Sequence, residues 1–340
     1  MAAGSAPRQA RLRGLALCAG LIVANFAVWG WAWTTFHGNA VLLGTALLAY
    51  VFGLRHAVDA DHIAAIDNAT RKLVEAGRPA AATGLYFSLG HASVVVLLSL
   101  AIALTTAGLQ ASLADWKPLA STVATCLSAG TLLALALANC VILLSIGRLL
   151  TAVRRGSQPD NTELQQMLAR RGILGRLLRR LFGLISKSWH MYPLGFLFGL
   201  GFDTATEIAV LGISAAQASH GLPLSAIMVF PALFAAGMAL VDTADALLMA
   251  GAYRWASVEP LRKLYYNLVI TLFSVVVAVA IGGVQLLGLV AGEAGTAGGM
   301  SQLATYLGDH SAAIGSGIIA VFVATWLVSV LIWRTRSAPS

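Results

Sequence analysis

Eight long apolar runs separated by polar breaks dominate the chain, at about 14–35, 40–66, 80–107, 119–149, 191–218, 223–252, 264–291 and 311–333. Each is close to or longer than the ~20 residues a helix needs to cross a bilayer. The pattern predicts an all-α, polytopic membrane protein with eight transmembrane helices. Residues 1–35 have the charge order of a signal peptide, but the apolar run is too long for one and reads as a retained first span. The stretch 150–190 is different. It begins polar (RRGSQPDNTE) and continues with Leu164, Leu168, Leu174, Leu178, Leu181 and Ile185 at helical spacing among arginines. This predicts a basic amphipathic helix at the membrane surface. The chain therefore divides into spans one to four (1–149), a basic linker (150–190) and spans five to eight (191–340).

Composition and charge sharpen this picture. Of 340 residues, 58% are hydrophobic and 11% charged, against about 25% charged in soluble domains. The net charge of +8 does not point to nucleic acid, because the basic residues follow the positive-inside rule. Arg8, Arg11 and Arg13 precede span one, and Arg71, Lys72 and Arg78 follow span two. Eight basic residues lie in the 150–190 linker; Arg254, Arg262 and Lys263 follow span six, and Arg334 and Arg336 end the chain. In an eight-span arrangement all of these share one side, and the opposite loops hold only Lys117. Both termini and the linker are expected in the cytoplasm. Cys18, Cys126 and Cys140 lie within spans without a pairing pattern and read as packing residues.

The chemistry is concentrated where polar groups interrupt spans. Span two carries GLRHAVDADHIAAIDN (53–68), with Arg55, His56, Asp59, Asp61 and His62 within eight residues. A charge near the bilayer centre costs about 3 kcal/mol or more, so such residues are functional candidates by default. On an ideal helix Arg55, Asp59 and His62 fall within about 60° of one another and His56 a further 60° away. Asp61 points elsewhere, toward a second helix or at a distortion of this one. Imidazole and carboxylate on one face form a ligand set for a divalent first-row metal. Span three adds Ser88 and His91, span five Asp203 and Glu207 at i and i+4, and span six Asp242 and Asp245 at i and i+3. Arg55 is the one cation expected at membrane depth, so these carboxylates are left for a cation or protons to balance.

A faint internal echo is present as well. DADHIA (59–64) pairs with TATEIA (204–209), and FSLG (87–90) with FAAG (234–237). Spans two and five run in opposite directions, which would make the two halves an inverted repeat.

RHAVDADHI, FSLGHASVV, LGFDTATE and GMALVDTAD resemble, in order, the signature segments of the nickel/cobalt transporter family, with small departures at Ala92 and Ala246. The resemblance covers nearly the whole chain. It implies a high-affinity permease of the inner membrane that takes up Ni²⁺ or Co²⁺ on the membrane gradient, with no enzymatic activity, no resident cofactor and lipid as its surroundings. The missing phosphate-binding loop agrees with this. The resemblance further implies metal ligands among His56, Asp59, Asp61, His62 and His91, with Arg55, Asp203, Glu207, Asp242 and Asp245 serving the pathway or proton coupling. A homo-oligomer is compatible with the sequence.

Three other functions compete. An exporter of related architecture often carries a His-rich cytoplasmic loop, whereas 150–190 has only His190. A membrane-bound metalloenzyme would need an open coordination position, and charges spread over four spans suit a pathway better. A proton-coupled carrier of an organic anion would need unpaired basic residues within the spans.

Overall fold

The structure, a computed structural model, describes residues 5–104, 185–200, 205–256, 260–293 and 310–336, with residues 302 and 306 and scattered positions between 122 and 144. Among these residues all regular structure is helical and no strand occurs. The α-helices are α1 (Ser5–Phe36), α2 (Ala40–His56), α3 (Ala60–Glu75), α4 (Thr83–Leu104), α5 (Met191–Gly199), α6 (Ala205–Ser219), the single turn α7 (Leu224–Ile227), α8 (Val229–Ala256), α9 (Pro260–Glu293) and α10 (Ser311–Arg336). Among the described residues three stretches are long and apolar enough to cross a membrane: Gly14–Phe36, Thr83–Leu104 and Leu224–Trp255. The bent pair α2–α3 makes a fourth if it counts as one span. The described positions of the run at 119–149 are helical. The amphipathic segment expected within 150–190 lies outside the described residues as far as 184, and so does Asp203.

The continuous helix expected over 40–66 is not there. α2 stops at His56, the axis turns by 53°, and α3 begins at Ala60. Local chemistry explains the restart. Asp59 has extended backbone angles (φ −64°, ψ 144°) as the residue before α3, and the Asp61 carboxylate in the first turn accepts a hydrogen bond from the His62 amide at 2.9 Å. Asp or Asn suits the start of a helix because its oxygen satisfies amides that have no partner in the helix itself. Asn39 does the same for α2, accepting from the Val41 and Leu42 amides. In the expected span five α5 ends at Gly199 with a turn at Leu200, and α6 is described from Ala205. α3 and α6 end alike. Gly77 (φ 67°) and Gly221 (φ 78°) take the left-handed conformation open to glycine. Beyond them Arg78 donates its amide to Leu73 O at 2.8 Å, and Leu222 to Gln217 O at 3.1 Å.

α8 is the central element, packed against α1, α2, α3, α4 and α6, while α4 also lies along α5. Two pairs meet backbone to backbone through reciprocal glycines. A Cβ at Gly53 would lie 2.1 Å from Phe234 O, and one at Gly237 would lie 2.7 Å from Tyr50 O, which brings α2 onto α8. A Cβ at Gly195 would lie 2.0 Å from Phe87 O, and one at Gly90 would lie 2.0 Å from Tyr192 O, which brings α5 onto α4. Small residues permit such approaches where dispersion, and not hydrophobic exclusion, drives helix association. Phe36, Phe230, Phe234 and Met238 fill the space between α1, α2 and α8. Outside, Val23, Phe26, Trp33, Val41 and Leu97 are exposed, while His56, His62, His91, Glu207 and Asp242 are buried. Apolar outside and ionisable inside is the distribution a lipid solvent demands.

Candidate metal site

The break in span two brings its histidines together. His56 ends α2 and His62 lies in the first turn of α3, so the bend faces one imidazole toward the other across the gap. Their ring centroids are 4.6 Å apart. His91, from the middle of α4, completes a triangle at 4.7 Å from His56 and 4.8 Å from His62. One nitrogen from each ring lies within 4.8 Å of the others. All three residues are at most 2% exposed. Phe87 and Phe234 flank the rings at 4.8 and 5.4 Å, closing the cluster with apolar edges.

Carboxylates orient each ring. The Nδ1 atom of His56 is 3.3 Å from Asp59 Oδ2 and 3.2 Å from the Thr206 hydroxyl. His62 Nδ1 is 3.3 Å from Asp242 Oδ2, and the Ser88 hydroxyl donates to that same oxygen at 2.6 Å. His91 Nε2 is 2.6 Å from Glu207 Oε1 and 2.9 Å from His56 Nε2. Proton positions follow from the acceptors. A carboxylate beside Nδ1 calls for the Nδ1–H tautomer and leaves Nε2 with its lone pair. His56 and His62 therefore both turn an unprotonated Nε2 to the cluster; that of His56 lies against His91 Nε2, and that of His62 is buried with no hydrogen-bond partner among the described residues. A buried nitrogen acceptor without a partner is costly in lipid.

This donor set fits a first-row cation. A metal–imidazole bond of about 2.0–2.1 Å with two donors at right angles places those donors about 3 Å apart, close to the 2.9 Å between His56 Nε2 and His91 Nε2. The histidines are backed by carboxylates that fix their tautomers, as metal-binding histidines ordinarily are. There is nitrogen and oxygen in reach, and no thiolate.

The other candidates from the sequence fall in different places. Glu207 and Asp242 join the cluster. Asp59 is buried and stands beside His56, while Asp61 turns aside to the start of α3. Asp245 is buried one turn along α8 from Asp242, and neither of its carboxylate oxygens has a hydrogen-bond partner among the described residues. Arg55 does not share a face with Asp59 and His62: it is exposed, because the helix ends one residue later and the ideal-helix arc does not continue. Nor is Arg55 alone at depth. Arg71, expected in a loop, is 3% exposed and donates to Thr271 Oγ1 at 2.5 Å and to Asn68 Oδ1 at 3.1 Å. α3 continues to Glu75 inside the bundle, which carries Arg71 inward with it. Thr206 and Asp67 show no pattern of their own in the sequence beyond adjacency to Glu207 and to the span-two motif.

A family model described as high-affinity nickel-transport protein matches residues 42–332. The hydrogenase nickel incorporation protein of Bradyrhizobium diazoefficiens is 51% identical over 324 residues, covering 95% of this chain and 85% of its own. The high-affinity nickel transport protein of Cupriavidus necator is 49% identical over 326 residues, covering 96% and 93%. A cobalt transport protein of Rhodococcus rhodochrous is 37% identical over 338 residues, covering 96% and 94%. No solved structure matches significantly.

Proposed function

The chain belongs to the high-affinity nickel-transport protein family, and on that premise we propose that it is a secondary transporter, not an enzyme, that takes up Ni²⁺ or Co²⁺ across the inner membrane. The observation that carries this reading is the buried convergence of His56, His62 and His91 with Glu207 and Asp242. Nickel and cobalt appear in the names of relatives that match across nearly the whole chain. Raw affinity cannot select these ions over copper and zinc, so the fixed nitrogen–oxygen geometry must.

In this reading His56 Nε2, His62 Nε2 and His91 Nε2 hold the ion, and Glu207 supplies negative charge and a further oxygen. Without the ion, His91 Nε2–H donates to Glu207. A ring binds metal through an unprotonated nitrogen, so loading at Nε2 of a neutral His91 moves that proton to Nδ1, a buried atom without a hydrogen-bond partner among the described residues. Asp59 and Asp242 hold the tautomers of His56 and His62.

The architecture we propose has eight spans, cytoplasmic termini and an inverted repeat in which α2, α3 and α4 correspond to α5, α6 and α8. The mirrored glycine contacts support the repeat: Tyr50, Gly53, Phe234 and Gly237 where α2 meets α8 occupy the roles of Tyr192, Gly195, Phe87 and Gly90 where α5 meets α4. So do the early ends of α2 and α5 within their expected spans and the matching glycine ends of α3 and α6. A site at the interface of two broken helices is a common transporter build.

The test is accumulation of trace radiolabelled nickel or cobalt by intact cells expressing the chain, with and without an uncoupler. Uptake should be lost with the uncoupler, and each metal should inhibit the other, with little effect of Mg²⁺, which prefers oxygen ligands. Cells that hold less metal than controls without the chain would mean export.

A further inference from the structure

Beyond the histidine cluster a second set of ionisable groups continues along the packed helices α3 and α8, and no ligand of the first site explains it. Asp67 lies five residues past His62, about 7.5 Å farther along the helix. Its carboxylate accepts a short hydrogen bond from the Tyr253 hydroxyl, eleven residues beyond Asp242 on α8. Between these two levels sits Asp245, 7% exposed, with both carboxylate oxygens buried and no hydrogen-bond partner among the described residues. The groups acting on it electrostatically are two further carboxylates, Asp67 and Asp242. Below them Arg71 is held by Asn68 and Thr271.

A buried carboxylate under the influence of two others, and without a hydrogen-bond partner among the described residues, is a costly arrangement for this side chain. Structural packing does not account for it: Ser88 and Tyr253 show that this interior readily supplies hydroxyl donors to Asp242 and Asp67. What Asp245 lacks is positive charge, and Arg71 is already engaged elsewhere.

We infer that Asp245, with Asp67 and a shared Asp242, forms a second cation site made only of oxygen, reached from the histidine cluster and lying on the side toward the C-terminal end of α3. It rests on the transport reading, and it takes a divalent cation after the histidines release it. Asp242 is the common member: it orients His62 on one side and faces Asp245 on the other. The two sites differ in chemistry. Nitrogen-rich donors select the ion first, and an oxygen site that favours harder ions holds it weakly enough to let it go. Tyr253 and Arg71 close the inward end.

The experiment uses the purified full-length protein, titrated with Mn²⁺ followed by electron paramagnetic resonance and separately with Co²⁺ followed by absorbance. Mn²⁺ should bind without nitrogen couplings in its spin-echo spectrum, which needs no variant to read. Asp245→Asn and Asp67→Asn should each weaken Mn²⁺ by more than about tenfold, and leave Co²⁺ affinity near the parental value. No Mn²⁺ binding to the parent protein, nitrogen couplings on bound Mn²⁺, or unchanged Mn²⁺ affinity in both variants overturns the second site. Co²⁺ affinity that stays at the parental value after loss of His56 and His62 sinks the transport-site reading instead, since the oxygen site holds the ion only weakly, so the two failures are distinct.

Discussion

Asp242→Asn tests how the histidine site is held. The carboxylate has two tasks: it accepts from Ser88 at 2.6 Å and faces His62 Nδ1 at 3.3 and 3.4 Å from its two oxygens. The amide can keep one task intact at a time. With its oxygen toward Ser88, its NH₂ points at His62 Nδ1 and donates to it. His62 must then carry its proton on Nε2, the atom that should bind the ion. With its oxygen toward His62, its NH₂ meets Ser88, which can accept and redirect its own proton to Gly84 O, 3.0 Å away. The tautomer then survives, but the negative charge is gone. Either orientation weakens the site while the packing of α3, α4 and α8 is kept. Loss of such a supporting partner costs about 10–100-fold in metal affinity, or roughly 1.4–2.7 kcal/mol. The assay is the initial rate of radiolabelled nickel uptake against concentration, normalised to the amount of protein in the membrane. We expect the half-saturating concentration to rise by that factor. An Asp242→Asn variant with parental half-saturation would refute the idea that this carboxylate sets the His62 tautomer.

Four further outcomes are expected. His56→Ala, His62→Ala and His91→Ala should each nearly abolish uptake at trace metal, beyond the roughly 10–100-fold of a supporting residue, whereas His37→Ala and His220→Ala, both exposed, should not; parental accumulation in all three of the first set would exclude the cluster as the site. Gly195→Ala would place a Cβ 2.0 Å from Phe87 O and should cost about 1–3 kcal/mol by overpacking, read as a lower unfolding temperature in detergent; an unchanged temperature contradicts the close approach. Ser88→Ala removes one anchor of Asp242 and should reduce nickel affinity less than Asp242→Asn does, and a larger loss would mean Ser88 touches the ion itself. A reporter fused after Ser340 should be active in the cytoplasm, and activity confined to the outside would reverse the proposed topology.

Helix existence and position were legible in the sequence because apolar length is a strong signal. α1, α4, α8, α9 and α10 all lie over expected runs. The breaks were less visible. Residues 57–59 read Ala-Val-Asp, with neither Gly nor Pro to announce an interruption, and only the Asp59/Asp61 pair hinted at a new helix start. Treating 53–68 as one helix placed Arg55 with Asp59 and His62. Tertiary structure exposes Arg55 instead and brings His56, not Arg55, beside Asp59. Pairings between His62 and Asp242, or His91 and Glu207, join residues 180 and 116 positions apart; periodicity says which residues are buried, not which meet. Arg71 and Asp67 were obscured for another reason. The positive-inside rule sorts basic residues by loop, and it cannot see that a helix with a polar end stays inside the bundle.

The helix ends beside the cluster also explain how a cation is tolerated there. A helix start carries partial positive charge and favours anions, while a helix end carries partial negative charge and favours cations. At the break in span two α2 ends on His56, so its negative end faces the cluster, while α3 begins there with its positive end. The start of α6 repeats the positive end. Two positive ends near one cation site would repel the ion. In each the first turn carries an acid: Asp61 in α3 and Glu207 in α6. Asp61 therefore matters to the site through the His62 backbone and not through an imidazole, since its charge lies at the first-turn amides of α3 and offsets their field. Glu207 does the same for α6 and also reaches His91 and His56. On this argument Asp61→Asn, which keeps the hydrogen bond to the His62 amide but removes the charge, should leave the fold intact and weaken nickel uptake by less than loss of Glu207. Equal losses in Asp61→Asn and Glu207→Gln would instead place Asp61 in direct contact with the ion at some stage of transport.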